Sequence, residues 1–400
     1  MFPGKDSMLT THQCNRTFTD ENTGRMVRQL TDFPGAANNG YFRFSRYLPD
    51  GRMLAWYRDE EWRAMLMDPN SGSIQLRPDI PTLLRLRERD GRAWFLRGGK
   101  PGGLESHLPV ERLAVWQADL PDGIAQRLCE LPEDLPGTVV DITCDGESLI
   151  VVDNRQDMEP FKGKSLGDPE VLDRYLRRPR SGTMYCYAPG TGTCRKVHHL
   201  DGMCFMHVDT SPVDPGLIRF AQDMTETHGQ RIWTVRRDGG DLHPIRPQAF
   251  GEVVTHEFWW SDPNLIGYTY QDRRDDPTIE FQHCAEYARV PTRFGLANLA
   301  GQEIFLSDPL NSYHTHILVS RDGRLLSGEG TDGNSFVFAA PFDPGNPKVD
   351  FVPLATIHTP YIPFRGQHVE CAFSSDGQWL IYGDQRPPGK HIQLFAVKVE

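Results

Sequence analysis

No apolar run of about 18 residues occurs in this sequence, so no segment reads as a transmembrane helix. Met1 to Asn22 is polar and lacks an apolar centre, so no signal peptide is expected. Basic charge is in short supply: 43 Lys and Arg stand against 54 Asp and Glu, a net charge of −11. A nucleic-acid groove needs clustered Lys and Arg, so that class is disfavoured, while a local basic pocket for a small anion is not. The eight cysteines form no Cys-x-x-Cys pair. A chain this long does not need cross-links to fold, so reduced thiols are expected. The Walker and His-Glu-x-x-His motifs are missing, which removes the phosphate loop and the zinc-peptidase helix. The expectation is a cytoplasmic protein with no nucleic-acid or membrane partner, acting as a monomer or weak homo-oligomer.

What the sequence does have is punctuation. It carries 37 glycines and 31 prolines spread along its length, which suits many short strands joined by turns. One turn pattern recurs seven times, at Asp50-Gly51, Asp90-Gly91, Asp145-Gly146, Asp214-Pro215, Asp262-Pro263, Asp322-Gly323 and Asp376-Gly377. Each is flanked by apolar segments that read as hairpin strands. A second apolar strand follows each turn, as at Ala64 to Asp68, Leu113 to Asp119, Ile232 to Val235 and Ile392 to Val397. Irregular spacing with about four strands per copy is the make-up of a β-propeller with loop insertions. The fold expected is all-β: one seven-bladed β-propeller over 1–400 with four-stranded antiparallel blades. The last blade lacks its outermost strand, and Val27 to Thr31 reads as the one spare strand that would complete it and close the ring. Two insertions are expected, a helical one at about 155–181 starting on Asp168-Pro169, and a polar loop at about 271–291.

Four of these turns are preceded, six to eight positions upstream, by a histidine: His207, His256, His316 and His368. Fourteen histidines scattered evenly would put about 0.7 in those windows. Equal register in equal blades would bring the imidazoles to one mouth of the central channel. A capping role for each ring is one reading; a metal site, a general base or both is the other. Neighbouring strand residues face opposite ways, so His256 and Glu257 should diverge, whereas His368 and Glu370 share a face and could hold one cation. The pair His314 and His316 has the same spacing. The aromatic block Phe258-Trp259-Trp260 is expected to pack between blades.

The segment Thr255-His256-Glu257-Phe258-Trp259 resembles the oligogalacturonate lyases, seven-bladed propellers that cleave small pectin-derived uronate oligomers. The resemblance extends from Tyr41 and the first turn to the last blade. It implies a manganese site, with His256 and His368 as ligands, Glu370 where the family has a second histidine, and Gln367 close to the position of the family's glutamine, which falls near Arg365. It further implies His207 as catalytic base. The base's arginine partner falls near Thr183, with Arg180 the nearest candidate, and the family's His-Arg pair before the first repeat reads Asn38-Asn39.

The chemistry matches the residue types. β-Elimination of a uronate needs a base near neutrality and a divalent cation on the carboxylate next to the acidic carbon. The ligand set suits Mn²⁺ first, with Ca²⁺, Mg²⁺ or Zn²⁺ as alternatives. Arg231, Arg365, Arg43, Asn39 and His316 complete the expected contacts to a small acidic oligosaccharide. Two rival readings stand beside a lyase: a non-catalytic propeller that binds sugar or protein, and a metal-assisted hydrolase or epimerase on a related uronide.

Overall fold

The computed structural model describes residues 11–14, 16–41, 43, 45–98, 113–164, 168–222, 229–274, 290–311, 316–329, 336–359, 369–386 and 389–400. The fold is an all-β, seven-bladed propeller of antiparallel sheets. Two compact units share the blades: 134–313 forms one, and 1–133 with 314–400 forms the other.

The unit 134–313 contains three blades, each of four strands in chain order. They start with Thr138–Ile142, Phe205–Thr210 and Glu252–Trp259. The other unit holds the remaining four blades, whose first strands are Ala37–Asn38, Thr82–Arg87, Leu318–Val319 and Ala372–Phe373. Second strands are the most deeply buried: every residue of Trp379–Asp384 is buried, and Leu265–Asp272 is buried through its middle. Outer strands such as Gln126–Glu130 face solvent. Burial on both faces demands continuous apolar runs, and this is why the second strands read so clearly in the sequence. Cores form within each unit, as in the cluster of Ile150, Met184, Phe205, Phe220 and Val235.

All seven expected turns join the first strand of a blade to its second. The Gly residues supply a left-handed φ, from 72° at Gly377 to 89° at Gly51. The shared chemistry lies with the aspartate. Each one accepts the backbone N–H two residues on: Asp50 from Arg52, Asp90 from Arg92, Asp145 from Glu147, Asp214 from Gly216, Asp262 from Asn264, Asp322 from Arg324 and Asp376 from Gln378. This side-chain turn needs no glycine at the second position, so Pro215 and Pro263 fit it.

Ring closure differs from the one-strand expectation. Met26–Gln29 pairs with Gln393–Lys398, as expected, but Arg16–Thr19 adds a fifth strand outside it. Thr11–Gln13 pairs instead with Ser73–Arg77 of the first blade. The reason is Asp20, which is buried and accepts from the N–H groups of Asn22 and Thr23, folding a polar stretch into a hairpin. The insertion helix spans Pro169–Leu176. Asp168 caps it, accepting from the N–H groups of Glu170 and Val171. Most of the polar insertion expected at 271–291 lies outside the described residues. Among the described residues the cysteines are free thiols, and no helix is long and apolar enough to cross a membrane.

Candidate active site

In the unit 134–313, two first strands carry a bulge at their histidine. The pairing of Phe205–Thr210 with its neighbour slips between Met206 and Asp209, and that of Glu252–Trp259 slips between Thr255 and Phe258. Each slip inserts one extra residue, and His207 and His256 take left-handed backbone with φ of 46° and 51°. Such backbone costs a non-glycine residue roughly 1–2 kcal/mol. Five non-glycine residues among those described are left-handed, and three of them are His207, His256 and Glu370.

The bulge decides where Glu257 goes. Its side chain is fully buried, and His207 Nδ1 lies 2.5 Å from its Oε1 while Arg231 Nε donates to its Oε2 at 3.0 Å. Burial alone would push the Glu257 carboxyl up; Arg231, with His207 and Arg219, outweighs it and holds the group well below the usual carboxylate range. Glu257 is therefore an ionised, acceptor-only carboxylate. His207 Nδ1 is therefore the donor, and whenever the ring is neutral its lone pair lies on Nε2. Behind this trio, Arg219 pairs with Asp209, which also accepts from the indole N–H of Trp259. His207 retains 14% exposure of its side chain.

His256 is arranged differently. The Thr269 hydroxyl donates to the Thr255 carbonyl at 3.0 Å, so its oxygen accepts from His256 Nδ1 at 3.1 Å. The lone pair of the neutral imidazole again falls on Nε2, the form in which histidine ligates metals. Within the aromatic block, Phe258 and Trp260 are buried, with Trp260 5.5 Å from the ring centroid of Phe294 in the same blade, while the partly buried Trp259 donates to Asp209 of the preceding blade.

The other unit holds His316, Glu329 and Glu370, all buried. His316 Nδ1 lies 3.1 Å from Glu329 Oε1 and 3.7 Å from Glu370 Oε1, with the Tyr41 ring edge-on to the imidazole. Glu329 accepts the Val369 N–H, and Asn39 donates to the Glu370 carbonyl, so the left-handed Glu370 is held on both sides.

The structure redistributes several expected roles. Arg231, expected on a substrate carboxylate, is 2% exposed and bonds Glu257. Asn39, expected to touch substrate, is buried and donates to the backbone carbonyls of Glu370 and Ile381. Arg180 Nε donates to the Gly202 carbonyl, and Arg43 lies 6.0 Å from the Tyr41 ring centroid. His368, Gln367, Arg365 and His314 lie outside the described residues. Among the described residues, no three His, Cys, Asp or Glu side chains are grouped to hold a metal ion. Glu257 was not among the expected site residues; the strand rule set it facing away from His256, and the two side chains do have separate partners. Its signal was its place beside His256 in a Thr-His-Glu segment.

No family model matches the chain. An oligogalacturonide lyase of Pectobacterium atrosepticum is 26% identical over 102 residues, 26% of this chain and 22% of that protein, so the match spans less than a quarter of the lyase's length. Two solved structures cover far more. An oligogalacturonate lyase in complex with manganese superposes with a TM-score of 0.70 at 17% identity over 98% of both chains. An oligogalacturonate lyase from Vibrio parahaemolyticus gives the same values. The chain thus shares its fold with these oligogalacturonate lyase structures over almost its whole length, and a stretch of 102 residues is similar in sequence to an oligogalacturonide lyase.

Proposed function

We propose that the protein is a lyase that cleaves a uronate-containing oligosaccharide by β-elimination with the help of a divalent cation. The observation that carries this reading is His207, whose Nδ1 is committed to a buried ionised carboxylate, so that its neutral form offers the lone pair at Nε2. In the reaction, His207 Nε2 takes the C5 proton. The C5–H electrons become the C4=C5 double bond, and the C4–oxygen bond breaks as the leaving oxygen takes a proton from water, the proton from C5 remaining on His207. Glu257 stabilises the imidazolium that forms, and Arg231 keeps Glu257 charged while it does so.

His256 fits a metal ligand, because Thr269 selects the tautomer with its lone pair on Nε2. Glu370, His368 and Gln367 are the further ligands proposed from the sequence, a nitrogen and oxygen set that suits Mn²⁺. A bound cation would stabilise the charge that builds on the uronate carboxylate. Arg43 and Arg365 are the proposed partners of substrate carboxylates, and Arg180 is the arginine proposed to assist the base.

The test is incubation of the purified protein with galacturonate oligomers and added Mn²⁺, following the ultraviolet absorbance of the unsaturated product. Absorbance should rise with the wild type and not with His207→Ala. No rise with any uronate oligomer would overturn the reading.

A further inference from the structure

We propose that His358 is a further substrate contact, accepting a hydrogen bond from a sugar hydroxyl at its Nε2. The proposal rests on the uronate reading above for its ligand, and on a separate part of the molecule for its evidence.

Asp384 ends the strand Trp379–Asp384, and its side chain is fully buried. Its Oδ2 lies 3.0 Å from His358 Nδ1 and 3.0 Å from Arg386 Nε. With a guanidinium on the same oxygen, the carboxylate is the acceptor and Nδ1 the donor, so the lone pair of the neutral ring sits on Nε2. The His358 side chain is 38% exposed above anchors that are not. This repeats, in another unit and from other strands, the order of imidazole, buried carboxylate and arginine found at His207, Glu257 and Arg231.

Two comparisons separate a built contact from a loop strut. The pair His199 and Asp201 has a similar 3.1 Å spacing, but Asp201 is 95% exposed, so nothing is spent to hold that ring. At Asp384, the loop is already tied without the imidazole: Oδ1 accepts from the N–H groups of His358 and Thr359 and from the Thr359 hydroxyl. The Nδ1 bond therefore fixes the ring and not the chain. The place also fits. Gly383, next to Asp384, donates to the carbonyl of Val369, which precedes Glu370. The anchored imidazole thus belongs to the end of the last blade that presents Glu370. Hydroxyls are the donors that a uronate chain offers in greatest number, and a neutral imidazole nitrogen accepts one directly.

The experiment compares wild type, His358→Ala and His358→Gln as full chains on trigalacturonate with Mn²⁺, and measures trigalacturonate binding calorimetrically in a His207→Ala background. Loss of one hydrogen bond should raise KM and weaken binding about tenfold in His358→Ala, with the loss falling on KM and not on kcat. The Gln side chain, which can accept at Oε1, should recover part of it, and the thermal midpoint should stay within about 2 °C. An active enzyme whose KM and affinity ignore His358→Ala removes this contact and leaves the lyase reading standing. A wild type that neither binds nor cleaves any uronate removes both.

Discussion

Glu257 accepts from His207 across two blades, at 2.5 Å, and both residues are placed by a one-residue bulge in a first strand. Without either bulge, regular alternation would set the two side chains in a different register. The strain of left-handed backbone at His207 and His256 is part of how the site is assembled.

The first prediction concerns this pair. Glu257→Gln keeps the shape but removes the charge that selects the His207 tautomer. kcat should fall by about 10²- to 10⁴-fold with a small change in KM. A steady-state assay showing less than a threefold loss would mean that Glu257 does not serve the base.

Arg231 is the counter-charge to a fully buried carboxylate. Arg231→Met should therefore cost about 3–5 kcal/mol of stability, the usual result of stranding one buried charge. Urea unfolding of wild type and variant measures this directly. The double variant Arg231→Met with Glu257→Leu should recover part of the loss; equal midpoints for the wild type and the single variant would contradict the account.

Thr269 has no charge and no metal-binding atom in the proposed set, yet it fixes the His256 tautomer. Thr269→Val should weaken Mn²⁺ binding by about 10- to 100-fold, with His256→Ala weaker still. Paramagnetic resonance of free Mn²⁺ reads the affinity without any substrate. Wild-type affinity in Thr269→Val would leave the hydroxyl a packing role only.

Acid should destabilise the fold in a defined window. Asp20 and Glu252 are held below their ordinary values: burial opposes ionisation in both, and hydrogen bonds from Thr356 and Thr23, and from Arg246 and Ala249, outweigh it. Glu257 behaves likewise. A carboxyl with a depressed folded pKa contributes fully above its unfolded value, and the contribution is lost as pH falls through the folded one. Unfolding midpoints should thus be flat down to about pH 5 and fall steadily below about pH 4.5. The Asp20→Asn variant should show a shallower fall, and an unchanged slope would assign the acid sensitivity elsewhere.

Much of this was legible in one dimension. Turn and strand are local, and a first strand, an Asp turn and a buried second strand leave their mark in about 20 residues. The seven turns and the third strands of the blades accordingly fall where the residues placed them. The Arg16–Thr19 hairpin was not read: its turn on Asp20 is local, but the burial of Asp20 also involves Thr356, 336 positions away. Nor was the trade of Arg231 from substrate to Glu257, since spacing along a strand does not say which carboxylate a guanidinium reaches.

The sequence by itself determined the all-β class, the blade count and the register that singled out His207, His256 and His316, because periodicity and turn chemistry act between near neighbours. Tertiary structure alone decided which nitrogens of His207 and His256 are hydrogen-bonded inside the fold. Two bulges, a buried Glu257 and the hydroxyl of Thr269 set the protonated nitrogen on His207 and His256, and hydrogen-bond partners that fix a tautomer come from strands far apart in the chain.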